Sequence, residues 1–221
     1  MFWKKVNRGL LLGAALLIFL IGFIVAKEVQ FRKERSLIEA RAQSYLSEIC
    51  DLQCGVSGSL GKELSESAKK TQREKFDRLL QEHWYGNLPD DEYDGMGVAQ
   101  IRENYESYLA EKTEVLFSKA ELHLQEGDIR VYKDGPDRAV VGLSADVKTE
   151  YVGDGNAFFY GFSNYVDYED DTLPEKEGAA KLYSGVYVLN MTIEMQRVSG
   201  EWKIVGVSGY GYESTSSEKG E

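Results

Sequence analysis

The chain begins with one uninterrupted apolar run. Residues 9–26 contain 18 residues without a single charged side chain. As an α-helix this run is about 27 Å long, which is enough to cross the hydrocarbon core of a bilayer. A cleaved signal peptide is the alternative, but its apolar region is normally about 7 to 15 residues, and Ile24 and Ala26 make a poor cleavage site. We therefore expect an uncleaved signal anchor, preceded by a short basic tail at residues 1–8.

Apolar residues then recur every three or four positions in three segments. The first continues from the apolar run over about residues 28–50, the second covers about 62–84, and the third about 97–112. This spacing predicts amphipathic helices that each bury one face. Glycines separate the first two segments, so residues 27–58 are expected to form a juxtamembrane helix followed by a glycine-rich linker.

The period changes to two in the second half of the chain. Alternation begins near Ala120, restarts at Ile129, and continues through about 139–151, 183–198 and 202–209. Such alternation predicts strands with one buried and one solvated face, joined by short turns. Trp202 and Ile204 are expected to point inward from the last strand. The Ser- and Glu-rich residues 213–221 are predicted to be a disordered tail.

Helices followed by antiparallel strands indicate an α+β domain in which helices pack on one face of a sheet. The stretches IRVYKDGPDRAVVGLSADV and YVLNMTIEMQRVSGEWKIVGVS, with Gly200–Val205 as the closing strand, resemble the nuclear transport factor 2-like superfamily. The resemblance implies a curved antiparallel sheet in a cone, over residues 59–212. Function within this superfold is diverse, so the resemblance implies no single activity.

Charge divides the chain into a basic start and an acidic remainder. After residue 35 the chain has 19 of its 26 Lys and Arg residues, and it has 35 of its 37 Asp and Glu residues. An acidic domain argues against a nucleic-acid partner. Cations flank both sides of the apolar run, but the short basic start favours a cytoplasmic N-terminus and an extracytoplasmic domain. Gly9 and Gly13 form one GxxxG spacing, which would let the apolar helices of two chains approach closely, so a homo-oligomer remains an alternative.

Few residues suggest catalysis or metal binding. The polar strand residues Glu121, His123 and Asp146 are expected on the solvated face, which leaves Tyr187 as the obvious polar group in the core. We therefore expect no enzymatic activity and no cofactor, although the resemblance includes isomerases. Asp90–Gly95 resembles half of a calcium loop, but Ile101 occupies the position of the bidentate glutamate, so we expect no metal site. His83 and His123 are expected on the surface without a role.

Two cysteines follow the first amphipathic helix. Cys50 and Cys54 lie four residues apart, with no nearby histidine that would indicate a metal site. Outside the cell they would form a disulfide if the helix ends between them, and otherwise they would be two inert thiols. Both alternatives stay open at this point.

The long connection between the strands predicted at about 139–151 and 183–198 is rich in aromatic residues. It is expected to be an insertion at residues 151–182, with seven aromatic rings before an acidic run. Either these rings fold over the open end of the sheet, or they bind a partner, for which Tyr and Phe are favoured anchors. The proposed partner-binding residues are Phe158, Phe159, Tyr160, Phe162, Tyr165 and Tyr168.

Together these features favour a non-enzymatic, single-span protein of the cell membrane whose domain binds protein partners in an envelope complex. The architecture resembles membrane-anchored assembly components of conjugation and type IV secretion machines. A module that binds a small ligand or a polymer is the alternative, and an isomerase-like enzyme is the third.

Overall fold

The computed structural model describes residues 8–54, 64–86, 95–111, 117–152 and 181–218. These residues belong to two compact units, residues 1–37 and residues 38–221. The elements are α1 (Arg8–Gln53), α2 (Glu66–His83), α3 (Val98–Glu111), β1 (Phe117–His123), β2 (Ile129–Lys133), β3 (Arg138–Val152), β4 (Leu182–Val198) and β5 (Glu201–Glu218).

In the first unit, the beginning of α1 is a long apolar helix with exposed side chains. Its large apolar side chains from Leu10 to Val25 are between 45% and 71% exposed. The helix is long and apolar enough to cross a membrane, with a mean hydropathy of 2.8 over its most apolar 18 residues. These properties fit either a membrane anchor or a signal sequence.

The second unit has one core between helices and a sheet. The buried face of α1 carries Ile38, Tyr45 and Ile49, while α2 and α3 meet through stacked rings of Phe76 and Tyr105, 4.1 Å apart. The strand order is β1-β3-β4-β5, and β2 pairs with the first half of β3 on the side of β1. All pairings are antiparallel. The predicted α+β class is confirmed.

Along most of their length, β3 and β4 bury one residue in two, as the alternation predicts. On β4, Leu189, Met191, Ile193 and Met195 are buried. Trp202 and Ile204 of β5 are also buried, as expected. Glu121, His123 and Asp146 are exposed, which confirms that they lie on the solvated face.

The strand β5 is longer than its hydrophobic pattern suggests. It continues to Glu218, so residues 213–218, which we expected in a disordered tail, are part of the sheet. The reason is that Gly209 and Gly211 occupy the inward positions after Val207. Because glycine has no side chain, the alternation of apolar and polar residues is not visible there. A Cβ at Gly209 would overlap the backbone carbonyl of Asn190, so glycine allows β5 to approach β4 closely.

Two segments next to the helices pair with β5. Trp84, which follows α2, pairs with Ile204, and Met96, which precedes α3, pairs with Val207. A Cβ on the neighbouring Gly95 would lie 2.7 Å from the Val207 carbonyl oxygen, so only glycine fits there. The helices are thereby attached to β5 by backbone hydrogen bonds. The acidic residues 90–94 between these two attachments lie outside the described residues.

Candidate functional site at the end of the long strands

A buried carboxylate lies where β3 ends, β4 begins and β5 ends. Glu213 pairs with Tyr187 across β4 and β5 and points to the same buried side of the sheet. A register shift between Val186 and Tyr187 marks the neighbouring position of the ladder. Glu213 is only 9% exposed. A buried carboxylate is costly unless hydrogen bonds satisfy it, so its partners decide what the site can do.

Tyr151 forms a hydrogen bond with Glu213. Its hydroxyl donates to Glu213 Oε1, and its ring is wholly buried. A hydrogen bond to an ionised acceptor is stronger than one between neutral groups, which helps to offset the burial of the carboxylate. The Tyr151 ring stacks on Tyr183, with ring centroids 5.7 Å apart, and packs against Phe117 at 5.4 Å. Aromatic side chains therefore hold the hydroxyl in place.

Gly185 makes room for the carboxylate on β4. A Cβ at this position would lie 2.5 Å from Glu213 Oε1 and 3.2 Å from Thr149 Oγ1. Thr149 is buried and donates its hydroxyl hydrogen to the Gly185 carbonyl oxygen at 3.2 Å. We call Thr149, Tyr151, Gly185 and Glu213 the Glu213 cluster. Its polar groups face a core that is otherwise mostly apolar.

A surface cavity of about 360 Å³ lies at the same end of the strands, mostly on the solvated face of the sheet and not on the buried face that carries Glu213. Most of its lining comes from two rows of cross-strand neighbours on the solvated face, given by the register of β1, β3, β4 and β5. The first row is Lys119, Glu150, Ser184 and Ser217, and the second is Lys148, Val186 and Thr215. Thr149, Gly185 and Ser216 complete the lining. The cavity is as large as a small-ligand site, and its groups can donate and accept hydrogen bonds.

The aromatic residues proposed to bind a partner lie outside the described residues. These are Phe158, Phe159, Tyr160, Phe162, Tyr165 and Tyr168, within residues 153–180. The flanking positions are described: Tyr151 and Val152 complete β3, and Leu182 begins β4. Tyr151, the first of the seven rings, is therefore part of the core rather than of the connection. The connection itself joins the sheet at the end where the Glu213 cluster lies.

Cys50 and Cys54 are both free thiols and form no disulfide with each other in the structure. Cys50 lies in the last turn of α1, whereas Cys54 follows the helix and pairs with Phe117. Burial, reinforced by the charges of Cys54 and Asp51, raises the pKa of Cys50 to about 12. Burial likewise raises the pKa of Cys54 to about 11. Because the thiolate is the nucleophile, both groups are inert at neutral pH.

Two expectations about polar residues are wrong. We expected no strand carboxylate in the core, but Glu213 is one, and the glycines at 209 and 211 concealed its strand. We also expected His83 on the surface, but it is wholly buried. Its position continues the buried face of α2 after Phe76, Leu79 and Leu80, so helical spacing was a usable signal.

Comparisons with known proteins give one match. No protein-family profile and no curated protein match the chain. A solved structure of a hexachlorocyclohexane dehydrochlorinase, LinA type 2, aligns with 86% of this chain and 93% of its own, at 12% identity and a TM-score of 0.42. This likeness is too low to transfer that protein's chemistry.

Our expectation that the chain is not an enzyme is corrected. That expectation depended on a core without an inward acid, and the buried Glu213 removes this basis.

Proposed function

We propose that the chain is a membrane-anchored protein whose C-terminal domain binds a protein partner in a cell-envelope complex. The partner would contact the end of the sheet where β3 and β4 meet the aromatic connection. The observation that carries the proposal is the convergence of three features at this end: the Glu213 cluster, the adjacent cavity of about 360 Å³, and the attachment points of residues 153–180. A conjugation or secretion machine is the kind of complex that fits a single-span protein of this architecture.

Several properties of the chain support the anchored part of the proposal. The side chains of residues 10–25 are exposed and apolar, as a lipid-facing helix requires. An extracytoplasmic location of the acidic domain is part of the proposal. At this location, the acidic run after the aromatic residues would attract a partner with a basic surface.

We expect the triple variant Phe158→Ser, Phe159→Ser and Tyr160→Ser to lose co-purifying proteins while its melting temperature stays unchanged. The reason is that aromatic side chains provide much of the contact energy of protein interfaces. The experiment purifies the full chain in mild detergent and compares bound proteins by mass spectrometry, with melting temperature measured in parallel.

The matched control is Tyr132→Ser combined with Tyr210→Ser, since both rings are exposed on described strands away from the connection. Retention of all partners by the triple variant at unchanged stability would contradict the proposal. A large fall in melting temperature would show that the rings are buried within the domain, and the interface would then be withdrawn.

Proton abstraction by Glu213 is a second candidate function. It is favoured by the burial of the carboxylate among aromatic rings, because a base excluded from water is a stronger catalyst than a solvated one. The hydroxyl of Tyr151 holds the carboxylate in one orientation. The substrate would be a small, largely apolar molecule with an acidic C–H bond.

We expect Glu213→Gln to slow the ring opening of a benzisoxazole, a chromogenic probe for a carboxylate base, by on the order of 10²-fold. Glutamine keeps the shape of the side chain and removes the basic oxygen. Glu150→Gln, on the solvated face of β3, is the matched control and should react like the unchanged protein. Equal rates for Glu213→Gln and the unchanged protein would exclude Glu213 as the base for this probe.

A further inference from the structure

Three metal-ligating side chains meet between the end of α1 and the end of α2. They are Glu48 of α1 and the neighbouring residues Glu82 and His83 of α2, and one ligand atom of each lies within 4.8 Å of the other two. Our expectation of no metal site depended on the loop Asp90–Gly95 and on the two cysteines, and it did not consider carboxylates around a buried histidine. Three protein ligands are the usual number at a zinc site that keeps one position open.

His83 is held rigidly at the centre of this group. Its side chain is 0% exposed, and its ring packs against that of Tyr45 with ring centroids 5.6 Å apart. Its Nε2 atom points toward the carboxylates and lies 2.9 Å from Glu48 Oε1. Its Nδ1 atom is buried without a hydrogen-bond partner among the described residues. The ring is therefore fixed in the core, and Nε2 is the nitrogen that it presents to the carboxylates.

The carboxylates are accessible from outside. The side chain of Glu48 is 36% exposed and that of Glu82 belongs to an exposed residue. Glu48 also lines a surface cavity of about 270 Å³ between α1 and α2. The exposed carboxylate of Glu82 and the half-buried one of Glu48 therefore form the outer side of the group, and the Nε2 atom of His83 lies behind them. An entry path and plausible ligand spacing are two of the requirements for a metal site.

The donor set of this group limits which metal it can take. Arg41 and Lys203 both donate to the backbone carbonyl oxygen of Glu82, at 3.3 Å and 2.6 Å, and their charges lower the affinity for any dication. Ca²⁺ and Mg²⁺ prefer sites made of oxygen ligands alone, usually six or more. One imidazole nitrogen with two carboxylate oxygens instead suits Zn²⁺ and similar transition-metal ions.

We propose that Glu48, Glu82 and His83 bind a transition-metal dication, with Zn²⁺ as the best fit, which links α1 to the end of α2. The ion would replace the hydrogen bond between His83 and Glu48. Because the ligands are spread over two helices, binding would stabilise the folded domain by an amount that rises with the logarithm of the ion concentration above the dissociation constant. The site is separate from the Glu213 cluster and does not depend on the proposed partner or on catalysis.

The experiment titrates the full chain in detergent, without a histidine tag, with ZnCl₂ by calorimetry. The Co²⁺ complex is examined by visible absorption, and melting temperature is followed in both cases. We expect one ion per chain, a higher melting temperature, and a Co²⁺ spectrum of a low-coordinate site. Glu82→Gln should weaken binding about tenfold or more, and it should leave folding intact because the side chain is exposed.

The chain supplies its own controls. It has only two histidines, so His123→Asn removes the exposed histidine and should leave binding unchanged. Glu74→Gln removes an exposed carboxylate elsewhere on α2 and should also have no effect. Absence of Zn²⁺ binding, binding that Glu82→Gln leaves intact, or binding that is lost in His123→Asn would each overturn the proposal.

Discussion

Replacement of Trp202 by alanine is expected to reduce the free energy of unfolding by about 3 to 5 kcal/mol. Trp202 is 7% exposed and lies near the start of β5, two residues before the buried Ile204. Removal of the indole loses its transfer free energy and leaves a cavity that the strand cannot close, because β4 on one side fixes its position. For a domain of this size the change corresponds to a fall in melting temperature of roughly 6 to 20 °C.

The measurement is thermal or urea unfolding of the full chain in detergent, followed by circular dichroism of the sheet. Tyr132→Ala is the matched control, since it removes an aromatic ring that is 54% exposed on β2. It should change stability by less than about 0.5 kcal/mol, as surface substitutions usually do. Equal melting temperatures for Trp202→Ala and the unchanged protein would show that this ring does not contribute to the core.

Gly185→Ala is expected to destabilise the domain by about 1 to 3 kcal/mol, the usual cost of overpacking a filled core. The added methyl group would lie 2.5 Å from Glu213 Oε1 and 3.2 Å from both Thr149 Oγ1 and the Thr215 carbonyl oxygen. The carboxylate cannot easily move away, because Tyr151 binds the same oxygen. The cost therefore measures how tightly the Glu213 cluster is packed.

A double-mutant cycle separates this effect from a general intolerance of alanine in β4. In the Glu213→Ala background, Gly185→Ala should cost less by about 1 kcal/mol or more, since the overlapping oxygen is gone. Gly142→Ala is the matched control, because a Cβ there would approach only Tyr132 Cε2, at 3.8 Å. Strictly additive changes in the free energy of unfolding would mean that Glu213 does not pack on Gly185.

Periodicity predicted most of the elements, because each helix and strand up to Val207 buries one face. Residues 76, 79, 80 and 83 follow helical spacing, and residues 189–195 alternate. The same argument failed for β5 beyond Val207, where the inward positions are Gly209 and Gly211. Periodicity detects side chains, and a strand that approaches its neighbour through glycines has none to detect.

The candidate site was harder to predict than the fold. Glu213 and Tyr151 are 62 positions apart and meet only because the long β3, β4 and β5 are antiparallel with the observed register. Glu48 and His83 are 35 positions apart, and they meet because the helices α1 and α2 pack together. No local motif encodes either pair. Strand register and helix packing, which a single sequence does not specify, bring these groups together.

The attachment of Trp84 and Met96 to β5 has a practical consequence for topology experiments. Because backbone hydrogen bonds hold both ends of residues 87–94, extra residues inserted between them need not disturb either helix. Doubling the length of a closed loop costs only about 0.6 kcal/mol of chain entropy. A protease recognition sequence inserted there would report, by its cleavage in intact cells, on which side of the membrane the domain resides.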